Sequence, residues 1–189
     1  MKKEIFIIGA GGHAKTCIDV IESQKKFKIS ALVEKKIHKK LIYNYKVLKE
    51  SEFLLKKSKE KKNVLIGIGQ IKNANLRKYK FNQCRRLGCH FPVIISRFSY
   101  VSKNSTVGDG ALVCHGVVIN SGARVGLNCI INSQSLLEHD VIVQDHCHIS
   151  TGSLLNGGVN VGFNTFIGSG TIIKENVKIG NNCVIGAGL

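Results

Sequence analysis

The chain has 189 residues, with 28 Lys and Arg against 12 Asp and Glu and a formal net charge of +16. That length accommodates two small domains, and no apolar run approaches the ~20 residues of a membrane helix, so no membrane partner is expected. Seven cysteines, an odd number without CxxC spacing, argue against a disulfide framework, and an apolar start at Ile5–Ile8 too short for a signal peptide points to a cytoplasmic protein.

The charge is one-sided. Residues 1–92 hold 23 of the basic and 7 of the acidic residues, while residues 93–189 hold 5 of each. The lysines are dispersed, with few aromatics between them for base stacking. They read as a solvated surface that draws anionic substrates, and no nucleic-acid partner is expected.

The first domain, 1–92, opens with a buried strand at Glu4–Ile8. Gly9-Ala10-Gly11-Gly12-His13-Ala14-Lys15 follows, leading into a helix through Cys17, Val20 and Ile21. A strand near Lys28–Val33, a polar stretch, a helix near Glu50–Glu60 and a strand near Asn63–Ile68 come next. A second glycine turn, Gly67-Ile68-Gly69-Gln70, precedes a helix that Gly88 stops near Leu87. This is a small parallel α/β unit, Rossmann-like in character. Ligands of such sheets bind at the carboxyl ends of the strands, on glycine turns and helix N-termini. Gly11, Gly12, His13, Gly69 and Gln70 are therefore the candidate substrate-binding residues, with a diphosphate or carboxylate on the loop amides. The loop departs from GxGxxG, and a ligand-free tight turn is the alternative. Glu34 stands where an acidic residue after the second strand is expected.

The second domain, 93–189, carries a repeat of six. An aliphatic residue recurs from Ile95 and Val101 through Leu137 and Val143 to Ile179 and Ile185, followed four residues later by a small or β-branched one such as Ala111, Cys129, Cys147 or Thr165. A period of six fits neither helix nor simple strand. It is the hexapeptide signature of a parallel β-helix, with three units per coil and about five coils. The cysteines at the small position, Cys129, Cys147 and Cys183, read as core filler. Gly108, Gly126, Asn128, Asn156, Gly157, Gly162, Asn164, Gly168, Gly180, Asn181 and Asn182 are expected to supply positive φ at the corners.

His139 lies two residues past the inward Leu137, off the interior, between Glu138 and Asp140. A carboxylate beside an imidazole can orient it and stabilise its charged form. Asn132 is placed on the preceding side of the coil and His148 on the following side.

Gly9-Ala10-Gly11-Gly12-His13, Gly67-Ile68-Gly69, Ile131-Asn132, Leu136-Leu137-Glu138-His139-Asp140 and the repeats to Gly188 together resemble the bacterial sugar O-/N-acetyltransferase family. That family includes sialic acid O-acetyltransferases and UDP-4-amino-sugar N-acetyltransferases, and the sialic acid branch looks nearest. The resemblance implies a left-handed β-helix, a homotrimer with sites between subunits, and acetyl-CoA as co-substrate with no metal. It implies His139 as general base, Asp140 as its acidic partner, Asn132 and Glu138 as active-site residues, and His148 as a catalytic residue facing the thioester. Coenzyme contacts would come from His148, Gly157, Ser169, Ala187 and Gly188. Members usually continue for another part-coil, whereas this chain stops at Leu189, so weakened acetyl-CoA binding is an expectation.

The reaction so implied is direct acetyl transfer to a surface-glycan sugar, most of all sialic acid O-acetylation. N-acetylation of a UDP-4-amino-4,6-dideoxy sugar and a non-catalytic role as partner of a biosynthetic enzyme stand as alternatives. A zinc site from His139, His146 and His148 is a further alternative.

Overall fold

The computed structural model describes residues 2–55 and 61–189. Strand β1 (Lys3–Ile8), helix α1 (Gly12–Gln24), β2 (Phe27–Glu34), β3 (Leu41–Ile42), β4 (Tyr45–Lys49), α2 (Glu50–Leu55), β5 (Asn63–Ile66) and α3 (Asn75–Arg86) form the α/β unit. Its sheet has the order β3-β4-β2-β1-β5. All pairings are parallel except β3 with β4. The parallel strands are nearly continuous apolar runs because both faces are covered. The β3–β4 hairpin lies within the stretch read as polar, where lysines hide its alternation and Tyr43 makes the turn at φ 49°. The helix expected over 50–60 begins at Glu50 as anticipated, and its second half lies outside the described residues.

From Ile94 onward the chain winds as two-residue strands that stack every eighteen residues, as Val118 on Tyr100 and Leu136 on Val118. Three parallel sheets result, as the repeat requires and consistent with the left-handed β-helix that the resemblance implies. Face 1 contains Ile94–Ile95, Leu112–Val113, Ile130–Ile131, His148–Ile149, Phe166–Ile167 and Val184–Ile185. Face 2 contains Tyr100–Val101, Val118–Ile119, Leu136–Leu137, Leu154–Leu155 and Ile172–Ile173. Face 3 contains Thr106–Val107, Arg124–Val125, Ile142–Val143, Asn160–Val161 and Lys178–Ile179.

The aliphatic series and the small series fill one continuous core. The small position favours Ser, Thr and Cys for a reason the repeat alone does not reveal. Ser135 Oγ donates to Ser150 O (2.8 Å), Ser153 Oγ to Gly168 O (2.8 Å) and Thr165 Oγ1 to Gly180 O (2.9 Å), so each ties its corner to the next coil.

Positive φ recurs every sixth residue, from Gly110 and Gly116 through Asn128, Gln134, Asp140 and His146 to Asn182 and Gly188. Of the expected corner residues only Asn128, Asn164 and Asn182 adopt it. Gly108 is small for a different reason: a Cβ there would sit 2.7 Å from the carbonyl carbon of Gly126 in the next coil.

Face 1 packs on the α/β unit. Ile94, Leu112 and Cys114 join Ile18, Val20 and Ile21 in one buried cluster. Cys114 is fully buried, and burial pushes its thiol up to about 12. Among the described residues no helix is long and apolar enough to cross a membrane.

Candidate active site

His139 stands at the corner where face 2 turns into face 3. That corner needs positive φ at its third residue, and Asp140 supplies it at 61°. Asp140 Oδ2 lies 2.9 Å from His139 Nδ1, and both side chains are about seven-tenths exposed (68% and 71%). With Nδ1–H donating to the carboxylate, Nε2 carries the lone pair and can act as a base. Glu138 is pinned: its Oε2 accepts from Asn120 Nδ2 (3.0 Å), one coil earlier, and from the His139 N–H (3.3 Å). Gly157, one coil later, lies against the imidazole, so that a Cβ there would fall 2.6 Å from both Cε1 and Nε2.

Asn132 ends face 1, the side before face 2, as expected, but His148 does not lie on the following side, face 3. Both belong to face 1, where Ile130 pairs with His148. Asn132 Nδ2 lies 3.4 Å from His148 Nε2, and His148 Nδ1 lies 2.6 Å from the Gln70 carbonyl of the α/β unit. That carbonyl only accepts, so Nδ1 carries the proton and Nε2 accepts from Asn132. Burial pulls the His148 pKa down to about 4, against the Gln70 carbonyl and with help from Arg77. The neutral ring in this tautomer has no N–H left to donate to an oxyanion.

Around His148 the two units share a buried polar seam. His13, 6.4 Å from His148 between ring centres, is lowered to about 3 by burial, then by Arg77 and His148. Gln70 is buried, and its Nε2 reaches the Asn164 and Thr165 carbonyls at 3.5 Å. Arg77 is the centre of the seam. Fully buried on α3, it donates to Ile66 O, to Ile68 O (2.9 Å) and to Asn128 O (3.2 Å), joining the second glycine turn to the coil. Sequence reasoning passed over Arg77, although Arg77, Phe81 and Cys84 form a helical i, i+4, i+7 stripe that is buried throughout. It also passed over Asn120, whose signal is its place one coil before Glu138.

In the first glycine turn, Gly11 caps α1 without a side-chain bond, and Gly11 and Gly12 are exposed with open space beside them. The amide of Ala10 donates to Glu34 Oε2 (3.1 Å), so this part of the anion cradle holds the chain's own carboxylate. Gly69 is exposed beside His13.

Apart from His148 on face 1, the residues expected to hold coenzyme divide between two edges of face 2. Gly157 shares the edge of His139. Ser169, whose Oγ lies 2.8 Å from Ser150 Oγ, and the exposed Ala187 and Gly188 stack on the other edge. Among the described residues no three His, Cys, Asp or Glu side chains group closely enough to hold a metal ion. His146 instead bonds Asn128 Nδ2 through Nδ1 (3.0 Å) and packs on Phe81.

Fold and site together define a hexapeptide-repeat β-helix carrying a small α/β unit on one face. Residues 4–84 match the PglD N-terminal domain, and residues 158–189 match the bacterial transferase hexapeptide (six repeats). Among solved structures the chain is similar to a variant of perosamine N-acetyltransferase from Caulobacter crescentus, with one histidine replaced by asparagine, in complex with CoA and GDP-perosamine. The identity is 28%, the coverage 98% of this chain and 86% of that one, and the TM-score 0.91. The acetyltransferase domain of PglB from Neisseria gonorrhoeae in complex with acetyl coenzyme A shares the fold at 23% identity, covering 100% of this chain and 90% of that one with a TM-score of 0.91. WeeI from Acinetobacter baumannii does so at 21% identity, covering 100% and 95% with a TM-score of 0.81.

Proposed function

We propose that the protein is an acetyl-CoA-dependent sugar acetyltransferase, with His139 as general base. The observation that carries this reading is the exposed His139–Asp140 pair, its ring seated on Gly157 at a corner of the coil. An acceptor hydroxyl or amine gives its proton to Nε2 as it attacks the thioester carbonyl, and the coenzyme thiolate leaves. Asp140 holds the ring in the competent tautomer and stabilises the imidazolium. Glu138 and Asn120 fix the corner. His148 acts from the seam as a positioning residue through Asn132 and Gln70, and main-chain N–H groups take the oxyanion role. Gly157, Ser169, Ala187 and Gly188 line the coenzyme, and Gly11, Gly12, His13 and Gly69 the sugar side, while the buried Gln70 supports His148.

The assembly is a homotrimer. Outward on face 2, Tyr100, Val118, Leu136, Leu154 and Ile172 form an apolar ladder, with Tyr100 and Ile172 about 60% exposed. Face 3 presents Thr106, Arg124, Asn160 and Lys178 at most of the equivalent positions. Covering face 2 with a neighbouring copy sets the His139 edge of one copy against the Ser169–Ala187 edge of the next, so that the divided coenzyme residues converge.

For the acceptor, the perosamine enzyme at 28% identity favours an amine on a nucleotide-linked sugar over the sialic-type hydroxyl expected from the sequence. The test is thiol release from acetyl-CoA with GDP- and UDP-linked amino sugars beside free and CMP-linked nonulosonic acids. Release with an amino sugar, lost in His139→Ala, is the expected result. Silence with every acceptor, or undiminished release in the variant, overturns the proposal.

A further inference from the structure

The end of α3 holds two thiols in a geometry the transfer reaction does not use. Gly88 at φ 73° closes the helix, its N–H donating to Arg85 O (3.0 Å), while the Cys89 N–H donates to Cys84 O (3.1 Å). This double bond pattern is the Schellman cap, in which the two residues joined by the longer bond bring their side chains together. Proteins usually place an apolar contact there, but here both residues are cysteines and their thiols interact. The backbone bond ties the two residues at a separation of the kind a disulfide spans, roughly 4.4–6.8 Å between Cα atoms.

The two cysteines are unequal. Cys84 is buried among Phe81 and Phe91, whereas Cys89 is half-buried. The neighbouring Cys84 thiol and, less strongly, the Lys62 ammonium hold the Cys89 thiol below its ordinary range against the cost of burial. Cys84 is pushed up by the same contact and by its burial. A partly accessible sulfur in an electropositive setting beside a second thiol is the arrangement of an attacking and a resolving cysteine.

We infer that Cys84 and Cys89 are a modification site, a dithiol that hydroperoxides convert to a reversible disulfide. The Cys89 thiolate attacks one peroxide oxygen and, with a proton, releases water (alcohol from an organic peroxide), leaving a sulfenic acid. The Cys84 thiol then displaces its hydroxyl, forming the S–S bond and releasing a second water. Two thiols are oxidised by two electrons and one peroxide is reduced. Cys129 and Cys147 are also in contact, yet both are fully enclosed in the coil, donating to Gln144 O and Gly162 O, and serve as an internal control.

The test is hydrogen peroxide treatment of the folded chain, alkylation of remaining thiols under denaturing conditions, and tryptic mapping. Trypsin cuts after Arg85 and Arg86, between the two cysteines. The expected result is a disulfide-linked pair of peptides bearing Cys84 and Cys89 that separates on reduction, with the other five cysteines alkylated. Cys89→Ser removes the link and leaves Cys84 alkylated. Recovery of both residues as alkylated thiols, or of Cys89 as a sulfinic acid beside an untouched Cys84, overturns the inference.

Discussion

Gly157 and His139 are stacked one coil apart, the glycine's missing side chain leaving the space that the imidazole occupies. Gly157 has no positive φ, so its backbone tolerates alanine, and only the ring does not. Gly157→Ala is therefore expected to move His139 rather than unfold the coil. Displacement of a base by about 1 Å can cost on the order of 10²-fold in turnover. The checks are acetyl-transfer kinetics and a thermal melt. A fall in activity with an unchanged melt supports the stacking, and full activity refutes it.

Truncating the pair itself separates two roles. His139→Ala removes the proposed base and is expected to lower turnover about 10²–10⁴-fold. Asp140→Ala leaves an imidazole free to rotate and change tautomer, with a smaller loss, on the order of tenfold or a little more. Steady-state kinetics on folded protein decide the order. A larger effect from Asp140 than from His139 contradicts the assignment.

The fold was legible because each level repeats the same message. The six-residue period placed Val107, Leu137 and Ile167 inward, and the structure buries Leu137 and Ile167 fully. The His139 corner was legible for a related reason, since an imidazole between two acids has no place in an apolar interior. The seam was not legible. The partners of His148 are a carbonyl seventy-eight residues away and an amide in the preceding coil, and no local pattern encodes such contacts. The hairpin β3–β4 was lost for a third reason: β3 is a two-residue edge strand, and β4 carries Lys46 and Lys49 among its five residues, so neither shows a clear apolar alternation.

The seam makes stability fall in acid. His13 at about 3 and His146 and His148 at about 4 are held neutral by burial, below their ordinary 6.5. The unfolded chain therefore binds protons that the folded chain refuses. Stability is full above about pH 6.5 and declines as pH drops through the window from about 6.5 to about 3, by several kcal/mol in order of magnitude. Urea midpoints across that range measure the slope. His148→Gln, which cannot titrate, is expected to flatten it, and an identical slope in the variant sinks the attribution to His148.

Arg77 is the test of how the units are joined. Burial lowers its pKa to about 10, which leaves it charged at neutral pH. Arg77→Met keeps much of the volume but abandons the carbonyls of Ile66, Ile68 and Asn128. Each buried acceptor left bare costs about 1–3 kcal/mol, and removing the buried charge offsets part of the sum. A net loss of roughly 2–4 kcal/mol is expected in urea unfolding. A neutral outcome means that the coil and the α/β unit are held by the apolar cluster of Ile94, Leu112 and α1 alone.

Face 2 carries the last expectation. Leu136 and Leu154 stand outward in the middle of its ladder, half-buried in a single chain. A glutamate at position 154 places a charge where a neighbouring copy must exclude water, and two copies brought together place such charges within one interface. Leu154→Glu is therefore expected to convert the proposed trimer to monomers by sedimentation velocity. The inward Leu155 is untouched, so circular dichroism should show an intact coil. Acetyl transfer should disappear with the trimer, because the His139 edge then loses the Ser169–Ala187 edge of its neighbour. A variant that stays trimeric removes face 2 as the interface, and an active monomer removes the shared site.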